Sequence, residues 1–168
     1  MSIYRRWKST AGGSGAAIFV LIKIKKMKSI RTEICIDAPV SKVWECLMDF
    51  ESYPEWNPLV HIQGKPIVGT KLTNKMYLEG QKEQVFQPTV LEMVPEKRFR
   101  WEGHLFVKGL FDGEHYFELQ PEGENMTLLV HGENFRGLLV PLIMKMIGDK
   151  TIAGFEAMNQ ALAQRVGE

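Results

Sequence analysis

A long helical stripe of mostly apolar residues runs through the last part of the chain. Its members follow one another at intervals of three or four, and they are Met144, Ile147, Thr151, Phe155, Met158, Leu162 and Val166. Residues at this spacing lie on one face of an α-helix, so the pattern predicts a single long helix with one buried side. Such a helix needs a broad apolar surface to cover it, and this limits the fold to architectures that supply one.

The preceding part of the chain predicts that surface as an antiparallel sheet. Residues 29–37 alternate in polarity, with Ile30, Ile34 and Ile36 on one side of a strand. Six further strands are predicted at residues 59–63, 71–79, 82–94, 97–107, 110–120 and 125–135. Most of the turns between them are short, which is typical of hairpins. Apolar residues at helical spacing from Val40, and a proline-rich segment that ends at Pro58, predict two short helices after the first strand.

These elements predict an α+β fold in which a seven-stranded curved antiparallel sheet surrounds the long C-terminal helix. A twisted sheet that curls around a straight helix touches it along only part of its length, so a cavity is expected between them. Its predicted lining, mostly aromatic, aliphatic and methionine side chains, is Trp56, Met76, Leu78, Phe99, Trp101, Leu105, Phe111, His115, Phe117, Leu119, Met144, Phe155 and Met158. Trp56, with Tyr53, either caps the cavity or pins the short helices to the sheet.

His115 is the polar residue that the predicted hairpin directs at this cavity. A positive φ at Gly109 in the preceding turn sets the register, which pairs Trp101 with His115. The same register pairs Phe99 with Phe117 and keeps the apolar faces together. At this position a histidine orients a ligand carbonyl or hydroxyl, acts as a general acid or base, or is a core residue bonded to a neighbour. His115 is therefore the candidate catalytic residue if the protein is an enzyme.

The register of the last strand decides what surrounds His115. One register pairs His115 with His131 and brings both near Glu133, which would form a proton-handling or metal-binding cluster. Another pairs His115 with Val130 and separates these groups. The sequence leaves both open. No close i,i+4 histidine pair supports a metal site, and neither Cys35 nor Cys46 lies in a metal-binding or disulfide spacing, so we expect no metal. No motif for a cofactor is present.

The charge distribution argues against nucleic-acid binding. The first 28 residues carry seven basic side chains and no acidic one, so the remaining 14 basic and 20 acidic residues have a net charge of −6. Phosphate contacts need clustered lysine and arginine, which an acidic domain does not offer. We interpret residues 1–26 as a leader or extension outside the fold and residues 27–168 as a single domain. The apolar run in the leader is too short to cross a bilayer, and no membrane contact is expected.

Four segments carry a resemblance to a known superfamily. Ala38-Pro39-Val40-Ser41-Lys42-Val43-Trp44 and the run from Asp49 to Pro58, which contains Tyr53-Pro54-Glu55-Trp56-Asn57-Pro58, resemble the opening signature of the SRPBCC superfamily. Residues 109–119 and 133–142 resemble its bacterial polyketide-cyclase-like branch. The resemblance covers roughly residues 28–166. It implies a helix-grip fold, the arrangement of sheet, helix and cavity described above.

Three functions are compatible with this resemblance. The first is a carrier or sensor of an apolar small molecule such as a lipid, quinone, polyketide or other aromatic compound. The second is a polyketide cyclase or dehydratase that uses His115. The third is a protein-interaction module whose cavity is vestigial. We expect a cytoplasmic protein, because two unpaired cysteines suit a reducing compartment. We also expect a monomer or a weak homodimer.

Overall fold

The computed structural model describes residues 28–168, and the predicted leader at residues 1–26 lies outside them. The described part contains eight strands and three helices. In chain order they are β1 Lys28–Ile36, α1 Val40–Met48, α2 Tyr53–Trp56, β2 Val60–Gln63, β3 Thr73–Met76, β4 Gln84–Phe86, β5 Thr89–Val94, β6 Arg98–Leu105, β7 Phe111–Pro121, β8 Thr127–Arg136 and α3 Val140–Gly167. The predicted α+β fold, an antiparallel sheet with a long C-terminal helix, is confirmed.

The sheet differs from the prediction at Pro88. The strand predicted at residues 82–94 is divided into β4 and β5, so there are eight strands instead of seven. They form a five-stranded sheet in the order β1-β8-β7-β6-β5 and a three-stranded sheet in the order β2-β3-β4. An isolated bridge between Lys71 and Thr89 joins β5 to the segment before β3. Proline has no backbone N–H to donate to a neighbouring strand, which explains the interruption.

The hairpin of β6 and β7 has the predicted register. Trp101 pairs with His115, and Phe99 pairs with Phe117. Gly109 has a φ of 93°, as expected, although the loop between the strands spans five residues, 106–110. These pairings place Phe99, Trp101, His115 and Phe117 on one face of the sheet.

The register of β7 and β8 is neither of the two that we considered. His115 lies opposite Glu133, and His131 lies opposite Phe117. This differs by two residues from the register that pairs His115 with His131, so the same side chains remain on the same face. The two histidines and the glutamate that the first of these registers would bring together therefore do lie near one another, with a different pairing.

The core is densest where the second half of α3 meets the sheet and α1. Phe155, Met158 and Leu162 are each at most 1% exposed and belong to one cluster with Phe99 and Phe117. The region of α2 is pinned to this core: the Tyr53 side chain is fully buried, and its hydroxyl donates to the carbonyl oxygen of Leu47 at 2.6 Å. The first half of α3 contacts fewer core residues, and a cavity opens beside it.

Candidate functional site

A cavity of about 430 Å³ lies between the first half of α3, the two sheets and the loop that joins β6 to β7. It is bounded by residues of β3, β4, β6, β7, β8 and α3, together with four loops. The lining residues are Asn74, Met76, Leu78, Gln81, Gln84, Phe86, Pro88, Trp101, Gly103, His104, Leu105, Phe106, Phe111, Gly113, His115, Glu133, Phe135, Leu139, Ile143, Met146, Ile147 and Thr151. The walls are mostly apolar, as is usual for small-molecule sites.

The opening of the cavity carries exposed apolar side chains. Phe106 and Met146 are 74% and 71% exposed, and both also line the cavity. Phe106 has a φ of 67°, a conformation that non-glycine residues seldom adopt. An apolar compound entering the cavity would therefore meet apolar surface at the entrance as well as inside.

The structure divides the predicted lining residues into two groups. Met76, Leu78, Trp101, Leu105, Phe111 and His115 line the cavity. The others lie outside that lining, and they are Trp56, Phe99, Phe117, Leu119, Met144, Phe155 and Met158. All seven pack in the hydrophobic core or against it. The cavity is displaced toward the β6–β7 loop relative to the predicted position.

Two polar side chains of the cavity wall, His115 and Glu133, lie next to each other, and we call this pair the polar pole. They face each other from β7 and β8, with 3.7 Å between His115 Nδ1 and Glu133 Oε2. The His115 ring stacks on the indole of Trp101, with 4.4 Å between ring centroids and 6° between planes. The His115 ring is thus held in place by an aromatic neighbour that also lines the cavity.

A chain of buried hydrogen bonds fixes the protonation of the histidine behind the polar pole. The hydroxyl of Thr32 donates to the carbonyl oxygen of His131 at 3.0 Å, so it accepts from the Asn159 amide nitrogen at 2.9 Å. The Asn159 oxygen therefore points at His131, 2.8 Å from its Nδ1. Since that oxygen can only accept, Nδ1 of His131 carries the hydrogen.

The tautomer of His115 follows from that of His131. Burial lowers the pKa of His131 well below its ordinary value, so its ring is neutral and its Nε2 is an acceptor. His115 Nε2 lies 2.9 Å from this atom and must donate to it. Burial also lowers the pKa of His115 to about 3, so this ring is neutral and keeps an unprotonated Nδ1. That nitrogen is the atom nearest Glu133.

Glu133 has the opposite shift. Its side chain is 15% exposed, and removal from water raises the pKa of its carboxyl group to about 8. At neutral pH the carboxyl is therefore mostly protonated, and the contact with neutral His115 is not an ion pair. The polar pole thus presents His115 Nδ1 as an acceptor and the Glu133 carboxyl as an O–H donor.

Gly113 makes room for the Glu133 side chain. A Cβ atom built on Gly113 would collide with the Glu133 carboxyl oxygen Oε1. Gly113 pairs with Gly103 of β6, where an added Cβ would meet Pro88 at an ordinary contact distance of 3.5 Å. The space that Glu133 occupies thus depends on glycine at position 113.

Sequence reasoning missed Asn159, Thr32 and Gly113. Asn159 is four residues after Phe155, so it lies beside the apolar stripe of α3 on the buried side. A polar residue beside that stripe was the available signal for a buried hydrogen-bond network. Gly113 gave no comparable signal, because its role depends on the register of β7 and β8.

Within residues 28–168, no group of three His, Cys, Asp or Glu side chains has an arrangement suited to a metal ion. Both cysteines there are free thiols. No helix of the described part is long and apolar enough to span a bilayer.

The chain resembles one protein family in sequence and several solved structures in fold. The sequence pattern of the family described as polyketide cyclase / dehydrase and lipid transport matches residues 27–167. No curated protein matches the chain in sequence.

Several solved structures share its fold. A START superfamily protein from Mycobacterium smegmatis is 21% identical, with a TM-score of 0.63 over 83% of this chain and 97% of that one. Protein MLL2253 from Mesorhizobium loti is 22% identical, with a TM-score of 0.62 over 82% and 95%. Norcoclaurine synthase from Thalictrum flavum, in complex with dopamine and hydroxybenzaldehyde, is 15% identical, with a TM-score of 0.66 over 96% of each chain.

Proposed function

We propose that this chain, which belongs to the polyketide cyclase / dehydrase and lipid transport family, binds an apolar small molecule in the cavity beside α3. The cavity volume of about 430 Å³ lies within the range of small-molecule sites. Its lining combines mostly apolar walls with few polar groups, an arrangement that holds an apolar body and orients one end of it. The solved norcoclaurine synthase with dopamine and hydroxybenzaldehyde indicates that this fold is compatible with small aromatic ligands.

The space between α3 and the sheet is the observation that carries this proposal. In a module with a vestigial cavity, side chains would fill that space, as they do around Phe155 and Leu162. Beside Ile147 they do not, and the exposed apolar residues at the entrance adjoin the cavity instead of forming a separate patch. Ligand binding is therefore favoured over a protein-interaction role.

Native mass spectrometry of the purified full chain tests the proposal. We expect an additional mass of a few hundred daltons, or uptake of an added apolar compound. Ile147→Trp fills the cavity from α3 and should abolish that uptake. Ile152→Trp adds the same bulk on the same helix, at a residue that is 38% exposed and outside the cavity lining, and should leave it intact. Equal uptake by both variants would contradict the proposed site.

A dehydratase is the second candidate, because Glu133 holds a proton at neutral pH beside the cavity. In a β-hydroxyketone, the α-carbon would lose a proton to His115 Nδ1, the C–O bond would break, and Glu133 would protonate the departing hydroxyl. The products are an enone and water, and the proton on His115 then returns to Glu133. Conversion of 4-hydroxy-4-phenylbutan-2-one, followed by enone absorbance and lost in Glu133→Gln, would support this candidate; no conversion by the intact protein would remove it.

The expected setting of this activity is the cytoplasm, with the chain as a monomer or weak homodimer. Free thiols at Cys35 and Cys46 suit a reducing compartment. Light scattering at increasing protein concentration tests the oligomeric state, and a stable higher oligomer would contradict it.

A further inference from the structure

We infer that the polar pole binds a neutral hydroxyl group of the ligand, such as a phenol, enol or alcohol, and that the cavity discriminates against carboxylates. This inference rests on the proposed function and specifies which class of apolar molecule the cavity takes. It follows from the donors and acceptors that the buried hydrogen-bond chain leaves facing the cavity.

The two groups of the polar pole are complementary to a hydroxyl. His115 Nδ1 needs a donor, because its other nitrogen already donates to His131. The protonated Glu133 carboxyl offers an O–H donor. The facing nitrogen of His115 lies 3.7 Å from Glu133 Oε2, too far to accept that hydrogen bond. A hydroxyl both donates and accepts, whereas a carbonyl oxygen only accepts and would leave His115 Nδ1 without a partner.

The spacing of the polar pole also suits one oxygen atom. The gap of 3.7 Å between His115 Nδ1 and Glu133 Oε2 is too wide for a direct hydrogen bond. An oxygen placed about 2.8 Å from each atom closes a triangle over that gap, at ordinary hydrogen-bond lengths. Stacking on Trp101 and the bond to His131 hold the His115 ring in this orientation before a ligand arrives.

A carboxylate meets unfavourable surroundings in the same place. The lining residues include no lysine and no arginine, and His104 is an exposed residue of the lining. Burial already keeps Glu133 mostly protonated, so a second carboxyl group beside it would likewise have to take up a proton or remain an unpaired buried charge. Fatty acids and other anionic ligands should therefore bind poorly with their carboxylate at the polar pole.

Three compounds with one aromatic body test the inference: 2-naphthol, 2-methylnaphthalene and 2-naphthoate. Dissociation constants are measured at pH 6.5 by chemical-shift titration of the ¹⁵N-labelled full chain. A purely apolar cavity prefers the methyl compound, because burying a hydroxyl without hydrogen-bond partners is unfavourable. We expect the reverse order, with 2-naphthol at least threefold tighter than 2-methylnaphthalene and 2-naphthoate the weakest.

The possible outcomes separate this inference from the proposed function. If none of the three compounds binds, both fail. If all bind but 2-methylnaphthalene is tighter than 2-naphthol, or 2-naphthoate is tightest, the cavity takes apolar molecules and only the hydroxyl site is wrong. The expected order supports both.

Variants assign the preference to Glu133. Glu133→Leu should restore the preference for 2-methylnaphthalene, whereas Glu133→Gln retains an N–H donor and should keep 2-naphthol the tighter ligand. Gly113→Ala leaves Glu133 in the sequence but displaces its carboxyl group, and it should also lose the preference for 2-naphthol. Gly148→Ala adds the same methyl group outside the cavity lining, at an ordinary contact distance of 3.5 Å from Met144, and should keep it. Identical preferences in both alanine variants would overturn the role of Glu133.

Discussion

At the scale of single residues, His115 and His131 show how hydrogen bonds make two similar side chains different. Both rings are buried, and burial lowers the pKa of each. The oxygen of Asn159 fixes the hydrogen of His131 on Nδ1, and the link between the rings then fixes the hydrogen of His115 on Nε2. The unprotonated Nδ1 of His115 at the cavity is thus set by Asn159 on α3.

Imidazole ¹⁵N shifts and ¹⁵N–¹H couplings measure these tautomers directly. We expect an Nδ1–H form for His131 and an Nε2–H form for His115, both neutral from pH 8 down to about pH 5, because burial opposes the imidazolium form. An imidazolium signal from either buried ring at pH 6.5 would contradict the assignment.

Replacement of Asn159 tests the energetic weight of this chain of hydrogen bonds. Asn159→Leu leaves the Nδ1–H of His131 and the hydroxyl of Thr32 without their amide partner in the core. We expect the free energy of unfolding, from urea titration, to fall by about 2–3 kcal/mol, since unpaired buried polar groups carry that cost. Gln160→Leu alters the exposed neighbour and should change it by less than about 0.5 kcal/mol. Equal effects would mean that the network contributes little.

At the scale of elements, the sequence predicts those features of the sheet that residues close together in the chain determine. Alternation and the turn at Gly109 were sufficient for the β6–β7 register, because a short hairpin loop and matching apolar faces together restrict the register. The β7–β8 register was not predicted, since the turn after Pro121 does not select among registers that keep the same face inward. The division of the strand at Pro88 was foreseeable from the missing N–H, although its effect on the sheet was not.

The cavity lining was predicted only in part, because it depends on how α3 packs against the sheet. The apolar stripe identifies the buried face of α3, but the sequence does not say how far along its length the sheet follows it. Ile147 lies on that stripe and faces the cavity, whereas Phe155 on the same stripe is fully buried in the core. Where the curled sheet leaves the helix is a property of their packing.

Two glycines of α3 have different roles, which predicts different responses to alanine. Gly148→Ala adds a Cβ at an ordinary 3.5 Å from Met144 and should raise the free energy of unfolding by about 0.5–1 kcal/mol, the usual gain in a helix interior. Gly154→Ala would place its Cβ 2.7 Å from a methyl group of the buried Leu59. We expect that contact to cancel the gain or reverse it. Chemical denaturation of both variants measures the difference, and equal stabilisation would show that α3 and Leu59 can separate freely.

At the scale of the whole molecule, α3 serves two purposes along one helix. Its second half anchors the fold through fully buried residues such as Leu162, and its first half leaves the space that a ligand can fill. Asn159, in the anchored half, fixes the hydrogens that reach the polar pole through His131. Asn159, in the tightly packed half of α3, therefore determines which atom of His115 accepts a hydrogen bond at the cavity. The buried titratable groups of this region also make the stability of the fold depend on pH.

Stability should peak near pH 6.5. Glu133 has a pKa of about 8 when folded and an ordinary value of 4.5, so the folded state holds the extra proton between these values and loses stability as the pH rises toward 8. His115 and His131 have lowered pKa values, so they remove stability as the pH falls below 6.5 and the unfolded chain takes up their protons. Between pH 4.5 and 6.5 the two histidines together outweigh Glu133. Urea denaturation at pH 5, 6.5 and 8 measures the profile.

Glu133→Gln isolates the alkaline side of this profile. The amide does not ionise, so the decline between pH 6.5 and 8 should disappear while the acid side remains. The full shift of Glu133 corresponds to a contribution on the order of 5 kcal/mol, and the part between pH 6.5 and 8 to about 2 kcal/mol, because each pH unit contributes about 1.4 kcal/mol per proton. A decline of equal size in the variant would place the responsible group elsewhere. Its loss would identify Glu133 as a neutral acid in the folded protein, the state that the hydroxyl site requires.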